Sequence, residues 1–202
     1  MTIQELLKQK KKNLLNIYFT AGFPQIDSLP IILESLEKAG ADLVEIGIPY
    51  SDPLSDGPTI QHSNSIALKN GISLEMIFEQ LESSSSTIPK IMMGYFNSVL
   101  QFGMRKFCEK CAQSGVSGVI LPDLPIDIWE QQYKSLFEEF RISAIFLISP
   151  ETSEERIRMI DEKSTSFIYA VSSAGTTGTK KGILGAEDYL KRIQGLQLKN
   201  PV

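Results

Sequence analysis

Short β-rich runs alternate with amphipathic helical stretches along the whole chain, and this alternation restricts the possible folds more than any other feature. Most predicted strands begin about 25 residues apart, which is the length of one βα unit. Repeated βα units build a parallel sheet that closes into a barrel or lies open between two helical layers, and the pattern alone allows both. The predicted strands are Asn16–Thr20, Asp42–Gly47, Lys90–Met93, Gly118–Leu121, Ala144–Ile148 and Phe167–Val171.

The gap between the second and third predicted strands is nearly twice as long as the others. Its extra residues form a turn-rich loop, Asp52–Gly57, and a further helix that should begin near Pro58, because proline suits a first helical turn. Barrel enzymes place their chemistry on the loops that follow the carboxyl ends of strands. The long loop is therefore a candidate functional site.

A carboxylate interrupts the second predicted strand, which otherwise consists of buried-type residues. Glu45 alternates with Leu43 and Gly47 on one face, and the other face carries Val44, Ile46 and Ile48. Both faces of a parallel strand are usually covered, so an ionised Glu45 would cost several kcal/mol unless it is paired or neutralised. We expect burial to raise the pKa of Glu45 and to make it a group that can both give and take a proton.

Composition excludes several classes of function. The 202 residues suffice for one domain with a real core, and we predict a single domain over 1–202. The net charge of -4 leaves no basic footprint for nucleic acid. No stretch is apolar over the length that spans a bilayer, and residues 1–15 lack the features of a secretory signal. We therefore expect a cytoplasmic protein that binds neither nucleic acid nor membrane.

Histidine and cysteine are too scarce to carry the chemistry. His62 is the only histidine, and no nucleophile elbow accompanies it. Cys108 and Cys111 have the spacing of a redox or zinc motif, but their surroundings are helical and no second pair exists. Two unrelated thiols on an ordinary helix are the favoured interpretation, and no metal site is expected. Acid–base work must then fall to carboxylates.

The residues from Ala41 to Gln61 resemble the signature of the tryptophan synthase alpha subunit family. The match runs without a gap through Glu45-Ile-Gly-Ile-Pro-Tyr-Ser-Asp-Pro-Leu-Ser-Asp-Gly-Pro58, and it departs from the family only at Ser55, where a small apolar residue is usual. The resemblance extends from Asn16 to Val202. It implies a (β/α)8 TIM barrel, whereas six βα units are countable and Pro201-Val202 resembles the start of a seventh strand. Since such barrels usually need about 250 residues, we expect a barrel truncated after six units.

The resemblance also implies a reaction, the retro-aldol cleavage of indole-3-glycerol phosphate to indole and glyceraldehyde 3-phosphate. The released ring carbon must gain a proton, the glycerol hydroxyl must lose one, and positive charge develops on the ring nitrogen. In this interpretation Glu45 moves the protons, and Asp56, ionised on its polar loop, binds the indole nitrogen. From the residues alone, Asp56 could instead be the N-cap of the helix near Pro58. Tyr169 matches a family tyrosine near the bond that breaks.

Further site residues follow from the same resemblance. Tyr18 and Met93 match positions that line the indole pocket. Gly175–Gly178 matches a mobile loop after the sixth strand, in which Thr177 meets Asp56 when the site closes and Gly178 contributes to substrate binding. The phosphate of such substrates usually binds the loops after the seventh and eighth strands, so we expect weak substrate binding by a chain without them.

The resemblance implies a partner as well. The family's alpha chain needs no cofactor and associates, as alpha2beta2, with a beta chain that holds pyridoxal phosphate. Asp52 and Pro53 match the loop that faces this partner. Two other functions stay open. One is a non-catalytic subunit that binds and activates the beta chain. The other is a barrel isomerase or aldolase, although Lys90 opens its strand at the end opposite to the one where a Schiff-base lysine is needed.

Overall fold

A computed structural model describes residues 1–53, 56–171 and 186–202, with the side chain of Ala186 excepted. Five parallel strands form one sheet in the order β1-β2-β3-β4-β5, and β6 and β7 form a second parallel pair. The strands are β1 (Asn16–Thr20), β2 (Leu43–Gly47), β3 (Lys90–Met93), β4 (Val116–Ile120), β5 (Ser143–Ala144), β6 (Leu147–Ile148) and β7 (Tyr169–Ala170).

Helices occupy the connections between the strands. They are α1 (Ile3–Gln9), α2 (Ser28–Ala39), α3 (Pro58–Lys69), α4 (Leu74–Ser83), α5 (Phe96–Phe102), α6 (Met104–Gln113), α7 (Ile126–Ile128), α8 (Lys134–Glu139), α9 (Glu154–Lys163) and α10 (Ala186–Gly195), with a π-helical turn at Trp129–Tyr133 between α7 and α8. Local sequence explains several of their ends. Thr2 and Glu5 form a capping box before α1, Ser73 and Ser153 cap α4 and α9, and Gly40 ends α2 with a φ of 89°.

The two sheets are connected by the short segment between β5 and β6. Sequence analysis predicted one strand over Ala144–Ile148, but the backbone breaks it into β5 and β6, and Ile145 N still donates to Val119 O (3.0 Å). The predicted strand Phe167–Val171 shortens to β7, and Val171 N donates to Ile148 O (2.9 Å) beyond its end. Ile168 N donates to Pro201 O (2.8 Å), so the residues expected to start a seventh strand lie beside β7.

Two separate apolar clusters show which face of each strand looks inward. The larger lies between the strands and the outer helices and contains Val44, Ile46 and Met92. The smaller fills the inner face and contains Leu43, Ile91, Ile120 and Ile145 together with Ile3 and Leu6 of α1. The helix α1 therefore closes the amino-terminal end of the strands, while their carboxyl ends lead to the long loop after β2. The predicted faces of β2 are confirmed.

Candidate active site

Glu45 lies on the inner face of β2 and is almost completely buried, with 1% of its surface exposed. Asn16, on the same face of β1, donates a hydrogen bond from Nδ2 to Glu45 Oε1. Burial raises the pKa of Glu45 above its usual value, and the hydrogen bond from Asn16 opposes only part of that rise. The predicted direction of this pKa shift is confirmed, and Glu45 is a carboxyl group held closer to neutrality.

Tyr18 is paired in register with Glu45 across β1 and β2. Its ring lies over Gly47, the next inward-facing residue of β2, because a Cβ built on Gly47 would overlap the Tyr18 hydroxyl. Burial raises the pKa of Tyr18 to about 12; Thr20 lowers it in part, and the nearby charges of Asp56 and Glu45 raise it further. Tyr18 therefore keeps a neutral hydroxyl near both carboxylates, a feature that its predicted place in the indole pocket did not include.

A pair of hydroxyl groups fixes α3 to the inner face of β1. Thr20 Oγ1 and Ser63 Oγ are buried and 2.7 Å apart, and Ser63 Oγ donates to Ile60 O (2.9 Å). Because the Ser63 proton is used in that bond, the Thr20 hydroxyl is the donor in the Thr20–Ser63 pair. Thr20 also interacts with the Tyr18 hydroxyl and lowers the pKa of Tyr18. The hydroxyls of Tyr18, Thr20 and Ser63 thus follow one another from the barrel interior to the first turns of α3.

Asp56 lies just before the start of α3 and is half-buried. Asn64 Nδ2 lies 3.4 Å from Asp56 Oδ2, and Gln61 Nε2 donates to Asp56 O (2.9 Å). Burial raises the pKa of Asp56, and the hydrogen bond from Asn64 lowers it in part. The site is therefore less polar than the predicted loop. The N-cap alternative for Asp56 is wrong, since the N-cap of α3 is Gly57 and no side chain caps the helix.

The remaining predicted residues fall into three groups. Tyr169 on β7 is half-buried; burial raises its pKa and the charge of Glu45 adds to the rise, so it faces Glu45. Met93 ends β3 beside Gly47 and packs against the inner cluster. Thr177 and Gly178, with the rest of Gly175–Gly178, lie outside the described residues.

The residues predicted to face a partner lie near a shallow groove outside the barrel. Asp52 is exposed and accepts a hydrogen bond from Ser51 Oγ (2.5 Å). Pro53 lines a groove of about 500 Å³ with Tyr50 and the α3 residues Gln61 and Leu68. Tyr50 in turn stacks on Tyr95 with ring centroids 4.7 Å apart, so the first part of the loop after β2 packs against the start of α5.

The described residues contain no group of three His, Cys, Asp or Glu side chains that could hold a metal ion. Cys108 and Cys111 are free, buried thiols on α6, and burial raises the pKa of both, as expected for inert helix residues. His62 is exposed on α3. In the same part of the chain, no helix is long and apolar enough to cross a membrane.

Sequence reasoning missed the polar partners of the site, namely Asn16, Thr20, Ser63 and Asn64. A signal for two of them was present, because Asn16 and Thr20 alternate with Tyr18 along a strand whose bounds were predicted correctly. Ser63 and Asn64 gave no such signal, since polar residues on a helix are usually on its solvent face.

Comparison with known proteins agrees with this architecture. The family model described as tryptophan synthase alpha chain matches residues 4–202. The chain belongs to the tryptophan synthase alpha chain family. Among its relatives, the alpha chain of Flavobacterium johnsoniae is 50% identical over 196 residues, covering 96% of this chain and 78% of the relative. The alpha chain of Christiangramia forsetii is 51% identical over 198 residues, covering 96% and 77%.

Solved structures of the family support the fold. A tryptophan synthase complex from Pyrococcus furiosus superposes with a TM-score of 0.81 at 35% identity, covering 93% of this chain and 75% of that one. A structure from Aquifex aeolicus VF5 reaches a TM-score of 0.87 at 32% identity and covers 99% and 79%. The predicted α/β TIM-barrel class is therefore confirmed. As a tryptophan synthase alpha chain, the protein is an enzyme subunit of tryptophan biosynthesis, and its family implies a beta-chain partner.

Proposed function

We propose that this chain cleaves indole-3-glycerol phosphate to indole and glyceraldehyde 3-phosphate by a retro-aldol reaction. The observation that carries the proposal is Glu45, a carboxyl group with 1% exposure on the inner face of the barrel, with Tyr18 and Tyr169 near it. A fold does not bury a carboxylate among apolar residues for stability alone, because its desolvation is costly. Asp56 provides a second carboxylate at the mouth of the same space.

The division of work between the two carboxylates follows from their surroundings. Glu45, as the carboxylic acid, gives its proton to the ring carbon, and the positive charge that develops on the ring nitrogen is stabilised by the Asp56 carboxylate. Glu45 takes the proton of the glycerol hydroxyl as the carbon–carbon bond breaks, and the bond's electron pair returns to the ring and restores neutral indole. A Glu45 with a raised pKa suits both directions of proton transfer. Tyr169, which faces Glu45, assists at the bond that breaks.

Other residues complete the proposed site. Tyr18 and Met93 line the pocket for the indole ring, where their position on the inner face supports the assignment. Thr177 pairs with Asp56 on closure and Gly178 contacts the substrate; both roles rest on the family motif. A closure of this kind excludes water from the reacting groups.

The partner in this proposal is a beta chain, joined in an alpha2beta2 assembly, and the alpha chain itself uses no cofactor. Asp52 and Pro53 face that partner, which is consistent with the exposure of Asp52 and the position of Pro53 in the groove. We also propose that residues 1–202 form a single domain and that the protein is cytoplasmic. A non-catalytic subunit is not favoured, because such a role would not need Glu45.

The test is indole release from indole-3-glycerol phosphate by the 202-residue chain in the presence of a beta subunit. We expect release by the parent chain and its loss in Glu45→Gln. The matched control is Glu79→Gln, which makes the same change at an exposed position of α4 and should retain release. Absence of release from the parent chain at saturating substrate, or full release from Glu45→Gln, would reject the proposed chemistry.

A further inference from the structure

An amide side chain shares the buried centre of the barrel with Glu45. Asn16 lies two residues before Tyr18 on the inner face of β1, and its Nδ2 donates to Glu45 Oε1. Its Oδ1 is also buried and has no hydrogen-bond partner among the residues that the structure describes. Burying an acceptor without a donor is energetically costly, so this half of the amide needs an explanation.

The two protonation states of Glu45 need different hydrogen-bond partners, a donor for the carboxylate and an acceptor for the carboxylic acid. A carboxylate only accepts hydrogen bonds, whereas a carboxylic acid also has a proton to donate. The Nδ2 group of Asn16 serves the first state. In the second state the acid proton needs an acceptor, and the unpartnered Oδ1 belongs to the same planar amide. Rotation of that amide by about half a turn exchanges its donor and acceptor ends without moving the backbone.

Among the residues that the structure describes, no other side chain is hydrogen-bonded to the Glu45 carboxyl. Tyr18 from β1 and Tyr169 from β7 interact with Glu45 only through its charge, and Asp56 at the mouth of the barrel has the same charge as Glu45. No lysine or arginine in the described part of the chain forms an ion pair with Glu45; the buried Lys90 instead donates to Ser86 O (2.9 Å). Asn16 is therefore the adaptable polar contact of Glu45.

We propose that Asn16 is a positioning residue that serves both protonation states of Glu45, donating from Nδ2 to the carboxylate and accepting at Oδ1 from the carboxylic acid. The exchange keeps the Glu45 carboxyl in one place while its proton comes and goes. Its consequence for catalysis rests on the proposed function, in which Glu45 must both give and take a proton. The structural exchange itself does not depend on that function.

The first experiment follows the chain by NMR with ¹³C-labelled glutamate and ¹⁵N-labelled asparagine, using Glu45→Gln to assign the Glu45 signal. The Asn16 Nδ2 protons should shift with the same midpoint as the Glu45 carboxyl, because they lose their acceptor as the acid forms. Asn16 amide signals that stay constant while Glu45 titrates would overturn the proposal.

Variants separate the hydrogen bond from simple packing. Asn16→Leu removes both ends of the amide at similar volume. Because the hydrogen bond to the carboxylate is stronger than the one from the neutral acid, the carboxylate loses more, and we expect the Glu45 midpoint to rise by about one pH unit. Asn16→Asp keeps the shape and adds a second carboxyl, so the pair should titrate in two steps, one of them raised further. The Asp variant also serves if the Leu variant does not fold. An unchanged Glu45 midpoint in either folded variant would contradict the proposal.

The matched control is Gln80→Leu. Gln80 on α4 also donates from its amide nitrogen, to Ile26 O at 2.9 Å, and also has a buried amide oxygen without a described partner. It lies on an outer helix, so its loss can change stability but should leave the Glu45 midpoint where it is. A Gln80→Leu shift as large as that of Asn16→Leu would reject a specific role for Asn16.

Activity gives an independent measurement. In Asn16→Leu the acid limb of the pH profile of kcat should move to higher pH by the same interval as the Glu45 midpoint, and KM should change little. A lowered kcat with an unmoved limb would show a merely structural effect and overturn the catalytic part. If the parent chain releases no indole, the proposed function fails, whereas the NMR titrations still decide the role of Asn16.

Discussion

The ring of Tyr18 occupies the space that a side chain at Gly47 would fill. A Cβ at that position would overlap the Tyr18 hydroxyl and would lie 2.6 Å from Cζ and 2.9 Å from Cε2 of the ring. The two residues are on neighbouring strands, with Gly47 two residues after Glu45 on the same inner face. The missing side chain of Gly47 therefore decides where the Tyr18 hydroxyl sits relative to both carboxylates.

We expect Gly47→Ala to push the Tyr18 ring out of place. The overlap involves a rigid ring, so the free energy of unfolding should fall by about 1–3 kcal/mol, as in other overpacked cores. Indole release should fall by about tenfold or more, because a displaced ring occupies the proposed pocket. Urea unfolding and steady-state kinetics measure the two effects.

The control for this prediction is Gly195→Ala at the end of α10, where a Cβ would meet nothing within 4 Å. Its stability should stay within about 0.5 kcal/mol of the parent. Combining Gly47→Ala with Tyr18→Leu should recover part of the lost stability. No recovery, with the single variant still destabilised, would mean that the strain lies elsewhere.

Because Thr20 interacts with both hydroxyls, we predict that Tyr18 and Ser63 are energetically coupled although one is on a strand and the other on a helix. Tyr18→Phe and Ser63→Ala should each reduce the free energy of unfolding, and their effects should differ from additivity by about 0.5 kcal/mol or more. The link is Thr20, whose hydroxyl is 2.7 Å from that of Ser63. A double-mutant cycle in urea measures the coupling.

Variants of Thr20 provide the control for this cycle. Thr20→Ser keeps the hydroxyl and should keep the coupling, whereas Thr20→Val has a similar shape without the hydroxyl and should abolish it. Additive effects of Tyr18→Phe and Ser63→Ala in the parent chain would show that no chain of hydrogen bonds connects them.

The alternation of strands and helices was predicted correctly from the sequence. So was the burial of a carboxylate, Glu45, in an otherwise apolar strand. The bounds of β1 and β3 were predicted correctly, and Glu45 was recognised because a carboxylate in a doubly covered strand is costly. The division of Ala144–Ile148 into two short strands was not predicted, since local composition carries no information on where a ladder of hydrogen bonds is interrupted.

The contacts around Glu45 could not be predicted for a different reason. Asn16 reaches Glu45 only because β1 and β2 pair with Tyr18 opposite Glu45, and that register is a property of the assembled sheet. The role of Gly57 as N-cap of α3, in place of Asp56, depends likewise on how the loop enters the helix. Periodicity predicts faces, and register decides which side chains on those faces meet.

The helix α1 closes the amino-terminal end of the barrel, and Ile3 is its central contact. Ile3 is completely buried, its side chain contacts the position of Gly118, and its backbone N donates to Ser117 Oγ (3.0 Å). We expect Ile3→Ala to lower the free energy of unfolding by about 2–5 kcal/mol, because it leaves a cavity in the inner cluster. Ile31→Ala, at a side chain that is 68% exposed, should change it by about 0.5 kcal/mol or less. Equal effects of the two variants would mean that α1 does not close the barrel.

Asp161 fixes the segment that follows α10, and its contribution should depend on pH. Its carboxylate accepts hydrogen bonds from Lys199 N (2.9 Å) and Asn200 N (3.0 Å). Burial alone raises the pKa of Asp161, but these backbone donors outweigh it and hold the pKa below the usual 3.8. A depressed pKa in the folded state means that the stabilisation is fully present above 3.8 and is lost as the pH falls through the folded value.

We therefore expect Asp161→Asn to lower the free energy of unfolding by about 1.5–3 kcal/mol near pH 7, and the difference from the parent chain should shrink at a pH well below the usual 3.8. Glu162→Gln, a neighbouring exposed carboxylate, is the matched control and should have little effect at either pH. Urea unfolding at both pH values measures the difference, and the exchange of the Lys199 and Asn200 amide protons reports whether the segment has detached. A difference that is the same at both pH values would show that the Asp161 side chain acts through its shape rather than through its charge.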